Sequence, residues 1–454
     1  MESRVFWRRI IFFLIGIAGI QLITVLYNGF GSSTAEGLSG PSSPGPEGST
    51  EDSKEDFEKV AEARLQPSRA NADWLVTKEA QVNTGHGLPD TVTEAQCTSE
   101  FPDLYRDIER AVAYWKNREH TITAEDVDIT WRNQSNNGGG AMRILIHNQE
   151  LRILESMDTI SHVGYRGRAF GILGLLQRAV DSAIAGGEVL PTIEAALLFE
   201  DISNPPTDDG THSFWTWSSL KDHDPHQRLW LTPNFDFWYS SPQGSYEAAR
   251  MHAMKNDAPF AHKIPQVVWR GTEWTNKELR DGLVNIGAGK EWANIKFIDW
   301  SKTETGDKIP VEDLCKYALT VHTEGVSYSG RLKYLLNCDS LPIVHDLKWN
   351  SHYYHLLVKD GPSQNYISAK RDWSDLPASV EYYLNNTEAS NHIIANSLAT
   401  FRNKYLTQAA TSCYIRKLIQ GYSTVSFTPD VNSMADKGIA FKDFIEKPED
   451  RQHL

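Results

Sequence analysis

Residues 317–338 read YALTVHTEGVSYSGRLKYLLNC. Tyr317 to Val321 is a short apolar run of strand character. His322 to Gly330 packs glycines, serines and a threonine into a turn, and an apolar stretch opens behind Arg331 and Lys333. The pattern predicts strand, Gly/Ser turn, helix. Such a turn exposes unpaired N–H groups and the positive end of the helix dipole, which together suit a phosphate. Gly325, Ser327, Ser329 and Gly330 let the backbone approach a ligand, and Arg331 offers a planar fork for phosphate oxygens. A lone Arg on a helix more often pairs with an acid on the surface, so Arg331 alone decides nothing.

Working outward, the same alternation recurs. KIPQVVWRGTEW (263–274) gives a strand from Gln266 to Trp269 and a turn at Arg270-Gly271-Thr272. SLPIVHD (340–346) is a further strand. QNYISAKRDWSDLPASVEYYL (364–384) is a strand leading into a helix with Ser374 as N-cap, and Ile393 to Tyr422 is helical. Upstream, Leu104, Ile108, Ala111, Val112 and Trp115 recur at helical period within 101–117. AMRILIHNQELRIL (141–154) is a strand with its turn, and a helix from about Gly167 ends at Gly186-Gly187. LPTIEAALLFED (190–201) is a buried strand. This helix–strand alternation predicts an α/β layered domain with a parallel sheet. Ligands of open α/β sheets sit at the C-terminal strand ends, where Arg270 and Arg331 both fall. The aromatic middle, SFWTWSSL (213–220) and LWLTPNFDFWYSSPQGSYEAA (229–249), reads either as core under long loops or as the wall of a sugar or base pocket.

The chain has 454 residues, 14 Trp, 17 Tyr and 17 Phe, enough for a large core and two domains. Its formal net charge of -14 without basic blocks argues against nucleic-acid binding. Ile10 to Tyr27 carries no charge and follows Arg4, Arg8 and Arg9. It reads as a transmembrane signal anchor of type II, with the bulk of the chain lumenal. Gly31 to Asp56 is Gly, Ser, Pro and acid without an aromatic, the composition of a flexible stem. Cys97, Cys315, Cys338 and Cys413 show no zinc spacing, and their pairing is open. Sequons at Asn133 and Asn385 agree with lumenal exposure.

HTEGVSYSGRLKYLLNCDSLPIVHDLKWNSHYYHLLV with GPSQNYISAKRDWSDL behind it and IPQVVWRGT ahead resembles the capsule-associated, Rumi-like glycosyltransferases, glycosyltransferase family ninety. The resemblance runs from about Asp158 to Tyr422, is strongest over 263–376, and looks closest to the fungal branch. It implies a fold of GT-B type: two Rossmann-like α/β domains facing a cleft. With the anchor and stem read above, the chain divides into a tail at 1–9, an anchor at 10–27, a stem at 28–60, an acceptor-side domain at 61–258, a nucleotide-sugar domain at 259–395 and returning helices at 396–454. It implies transfer of xylose or glucose from UDP-xylose or UDP-glucose to a glycan or protein acceptor in the Golgi or endoplasmic reticulum. Inversion at the anomeric carbon and no metal cofactor are also implied. Arg270, with Gly271, and Arg331 would hold the diphosphate, helped by the backbone of Gly325, Val326, Ser327 and Ser329. Asp201 would be the general base. Glu200 before it departs from the Arg that animal members carry, so the charge around the base differs. Cys315 and Cys338 would form a disulfide, leaving Cys97 and Cys413 to pair or stay free.

An inverting transferase needs one carboxylate to take the acceptor proton and positive groups for the leaving diphosphate. Asp236 in NFDFW is the reserve base. Three alternatives compete. A metal-dependent transferase would use the DxD pair Asp126 and Asp128. A non-catalytic lumenal glycan-binding relative would keep the fold alone. A glycoside hydrolase would need a second convincing carboxylate.

Overall fold

The computed structural model describes residues 91–133, 140–203, 210–240, 244–301, 307–434 and 438–447. The tail, anchor and stem expected over 1–60 lie outside the described residues. Among the described residues, no helix is long and apolar enough to cross a membrane.

The first lobe opens with helices α1 (Glu94–Glu100) and α2 (Arg106–Asn117). Helix α2 buries Ile108, Ala111 and Trp115 along the stripe that the spacing predicts. A hairpin follows, β1 (Ala141–His147) and β2 (Glu150–Met157), then α3 (Val163–Ala185), β3 (Ile193–Leu198), β4 (Phe214–Thr216) and β5 (Trp230–Leu231). Ile439–Ala440 from the far end of the chain completes the sheet beside β2; the order continues β2-β1-β3-β4-β5. The expected parallel sheet is therefore only half right. β1 runs antiparallel to β2 and β3, and only the β3–β4 and β4–β5 pairs are parallel. Asn148 and Gln149 take left-handed conformations (φ 49° and 61°) and close a two-residue connection. Such a connection can join only antiparallel neighbours.

The second lobe is fully parallel: β6 (Ile264–Gly271), α4 (Lys277–Gly287), β7 (Ala293–Phe297), β8 (Tyr317–His322), the single turn α5 (Leu332–Leu335), β9 (Leu341–His345) and β10 (Ile367–Ala369). Helices α6 (Leu376–Asn385) and α7 (Thr387–Thr400) close it. Val267, Trp269, Leu319, Val321 and Ile343 pack on one face with Leu279, Leu283 and Trp373, while Val268, Leu314 and Leu335 pack on the other. Burial on both faces explains why these strands read as continuous apolar runs. The strand order is β7-β6-β8-β9-β10, so the winding reverses between β6 and β8 and opens a crevice at their C-terminal ends.

Three local expectations change. The helix behind the Gly/Ser turn is one turn long, too short for a substantial dipole. Ser374 does not cap α6; Asp375 holds the N-cap position, and Ser374 bonds back to Asp372 Oδ1 (2.8 Å). The long helix expected over 393–422 divides at a wide turn, Phe401–Tyr405, before α8 (Gln408–Ser423). Helix α8 returns to the first lobe. There Tyr414 donates to Leu231 O (2.9 Å), Arg416 pairs with buried Glu188, and Cys413 is joined to Cys97. Cys315 is joined to Cys338.

Candidate functional site

The lobes meet under the Gly/Ser turn. A two-stranded ribbon, Ser219–Leu220 with Trp349–Asn350, ties them, and so do the side chains of the turn itself. Lys333 answers part of the question that the sequence poses, because it does not face a ligand. It is buried, pairs with Asp236 Oδ1 across the lobe boundary (2.7 Å), donates to Gly330 O (2.8 Å) and lies over the rings of Tyr334 and Phe237. Burial lowers its pKa, and Asp236 opposes that shift. Tyr328 and Asn234 Nδ2 form a second bridge (2.6 Å). A Cβ at Gly330 would come within 2.8 Å of Asp236 Oδ2 and 2.9 Å of Asn234 Nδ2, so only glycine permits this approach.

Arg331 lies half-buried at the crevice, where its Nη1 donates to Arg270 O and so bridges β6 to the turn. Arg270 itself points elsewhere. Its guanidinium donates to Trp269 O (2.8 Å), Asn294 O (2.7 Å), Asn294 Oδ1 (2.8 Å) and Asp307 O (2.7 Å). Those partners occupy its Nε, Nη1 and Nη2 alike and lock it to the β6–β7 edge. The residue brought to Arg331 is Arg280, from the first turn of α4. Arg280 donates to Thr272 O (2.9 Å), Thr272 Oγ1 (2.7 Å) and Glu324 O (3.2 Å), and its Nη2 lies 3.3 Å from where a Gly325 Cβ would stand. Among the described residues, neither Arg280 nor Arg331 has a carboxylate within ion-pair distance. Burial, and then the charge of Arg331, pull the Arg280 pKa down to about 10; burial brings Arg331 to about 10. Two guanidinium groups that repel each other beside a glycine-containing turn form a site for an anion.

Gly271 ends β6 beside this pair. Val326 is exposed at the tip of the turn, Ser327 is buried, and Ser329 is half-buried. The amides of Val326 and Ser327 find no protein acceptor among the described residues, as a phosphate-binding turn requires. Glu324 is a fully buried acid that accepts from Lys348 N, Trp349 N and Arg371 Nη1 (2.7 Å).

Asp201 lies three residues past β3, on the first lobe, and is exposed. Its charge reaches Tyr328, whose phenol is raised by burial first, with Asp236, Tyr354 and Asp201 adding to the rise. Asp201 is thus near enough to Tyr328, in the Gly/Ser turn, for its charge to act on that phenol. Arg168 from α3 meets Asp201 Oδ1 at 3.1 Å. Asp236, the reserve base, is buried and held by Lys333, so it is occupied as a counter-ion. Asp126 and Asp128 cap their own loop, accepting from Thr123 N (2.8 Å) and Thr130 Oγ1 (2.7 Å). Among the described residues, no group of three His, Cys, Asp or Glu is arranged to hold a metal ion. Sequence reasoning missed Arg280. The available signal was its place in the first turn of the helix that follows the Arg270 strand, one strand over from the Gly/Ser turn.

Residues 214–439 match the model of Glycosyl transferase family 90. The chain is 29% identical over 281 residues to Protein O-glucosyltransferase 2 of Danio rerio, covering 59% of this chain and 53% of that protein. It is 26% identical over 232 residues to O-glucosyltransferase rumi of Drosophila pseudoobscura pseudoobscura, covering 46% and 54%. A shorter match of 111 residues, 29% identical, joins it to Protein O-glucosyltransferase 3 of Homo sapiens, covering 24% and 21%. The chain thus spans about half the length of the first two relatives.

Proposed function

For a chain that belongs to glycosyl transferase family 90, we propose inverting transfer of glucose or xylose from a UDP-sugar to a hydroxyl of a glycan or protein acceptor. Asp201 takes the proton of the acceptor hydroxyl as its oxygen bonds to the anomeric carbon. The bond from that carbon to the diphosphate breaks, and UDP leaves. One displacement inverts the centre. Arg280 and Arg331 carry the charge that builds on the leaving oxygens, and the turn amides at Val326 and Ser327 add neutral donors. Arg270 acts at one remove, since its carbonyl receives Arg331 and its guanidinium fixes the strand end. No metal takes part in this scheme. The two lobes and their cleft fit a GT-B arrangement. The Arg-flanked apolar run 10–27 and the two disulfides fit a type II membrane protein of the Golgi or endoplasmic reticulum, with this domain lumenal.

One observation carries the reading: buried Arg280 and half-buried Arg331 stand without acid partners among the described residues at the strand-order reversal, while the first lobe offers an exposed carboxylate at Asp201. Calorimetry with UDP tests the first half. Arg280→Lys and Arg331→Lys should each raise Kd about tenfold or more, ~1.4 kcal/mol, and the two effects should be non-additive. Transfer from UDP-glucose and UDP-xylose tests the second half. Asp201→Asn should lower kcat by about 10²–10⁴ while keeping UDP affinity. Unchanged UDP affinity in both Lys variants refutes the clamp. UDP binding without transfer from any donor would instead favour a non-catalytic relative.

A further inference from the structure

We propose that Arg168 is the positioning residue for Asp201, fixing one carboxylate oxygen so that the other meets the acceptor hydroxyl. The proposal rests on the reading of Asp201 as the base.

Asp201 needs such help. It lies past the end of β3 with its own side chain exposed between half-buried neighbours, and an exposed Asp side chain can sample several rotamers. Arg168 removes that freedom. Its Nη1 donates to Phe199 O (2.9 Å), at the strand end, and meets Asp201 Oδ1 (3.1 Å) two residues further on. One nitrogen therefore gauges the carboxylate against the backbone of β3. The guanidinium is itself held, its carbon lying 5.5 Å from the ring centre of Phe235, 5.8 Å from Trp217 and 5.9 Å from Tyr165. Trp217 is buried and contacts Phe235 edge-on, so this wall is part of the core. Oδ2 has no partner among the described residues and is the atom left for proton transfer.

An ion pair whose carboxylate is half exposed adds little to stability. A caged guanidinium aimed at that carboxylate is therefore explained better by orientation than by folding. A misplacement of about 1 Å at a reacting group can cost ~10²-fold. Arg168→Gln should thus lower kcat by about 10–100-fold, with donor KM and UDP Kd unchanged. Arg168→Lys, which restores a cation without the fork, should recover part of the loss.

The double variant isolates the cause. If Arg168 acts through Asp201, Arg168→Gln/Asp201→Asn should be no slower than Asp201→Asn alone. A merely structural role would give additive losses and a matching loss of UDP affinity, and either result overturns the proposal. Wild-type kcat in Arg168→Gln overturns it as well. Near wild-type transfer by Asp201→Asn would sink the base assignment. An inactive Asp201→Asn beside a fully active Arg168→Gln would sink only the positioning role.

Discussion

Mild acid should destabilise this fold through a small set of buried imidazoles. His226 and His345 are each pulled from 6.5 to about 4, by burial above all. The hydrogen bonds agree: Leu220 N donates to His226 Nδ1 (2.7 Å) and Glu324 N to His345 Nε2 (3.1 Å), so a proton on either nitrogen would face an N–H. In the unfolded chain these rings bind protons near pH 6.5, and in the folded chain they do not. The stability they allow is therefore fully present above pH 6.5 and is lost as pH falls toward 4. At pH 5.5, a full unit below the unfolded value, the loss is about 1.4 kcal/mol per ring, or ~3 kcal/mol for the pair. That is a large share of the ~5–15 kcal/mol typical of a folded domain. His322 and His352, fully enclosed and pushed well below their usual value by burial, act in the same direction. Glu194 and Asp339, whose carboxyls burial raises, pull the other way. A single substitution isolates the imidazole share. Urea unfolding at pH 7.5 and 5.5 should show a marked fall in ΔG, and His226→Asn, which can still accept from Leu220 N, should shrink that fall by about 1.4 kcal/mol. A pH difference identical in wild type and His226→Asn would refute the reasoning.

Three further outcomes follow from the packing. Lys333→Met should cost ~3–5 kcal/mol by stranding Asp236, and adding Asp236→Asn should recover much of it in thermal melts. Loss of the Cys97–Cys413 bond, which spans 316 residues, should lower the denaturant midpoint more than loss of Cys315–Cys338, which spans 23. The chain-entropy difference, ~2 kcal/mol, sets the scale, and Cys→Ala pairs would measure it. Arg270→Gln should lower the melting temperature more than it weakens UDP binding, whereas a large affinity loss with an unchanged melt would return its guanidinium to the ligand.

The second lobe was legible because its strands are short apolar runs punctuated by Gly, Ser and Pro, and because a parallel sheet buried on both faces leaves that trace. The hairpin of the first lobe was harder. Asn148 and Gln149 are not the Asn-Gly pair that marks a tight turn, so its antiparallel pairing left little signal. The turn at 325–331 was read as backbone brought close to a ligand, whereas the close approach at Gly330 is to Asp236 and Asn234. Whether an arginine points along the sheet edge or into the crevice depends on partners such as Asn294, and whether a lysine is solvated depends on Asp236, 97 positions away. Local spacing carries neither fact. Arg168 is the same case, since nothing in YRGRAF says that one arginine will be wedged between rings from three segments.

The bond between Cys97 and Cys413 also has a consequence for biosynthesis. A ribosome adds about 5–20 residues each second, and domains commonly close in the order in which they emerge. This first lobe cannot do so, because α8 and the Ile439–Ala440 edge of its sheet are synthesised last. Cys97 must wait for a partner 316 residues downstream, roughly 15–60 s at that pace. Meanwhile the second lobe, continuous from β6 to α7, is free to close. The nascent chain thus matures from its middle outward, holding an open sheet edge, a lone thiol and the faces of Trp215 and Trp230 that Tyr422 later covers.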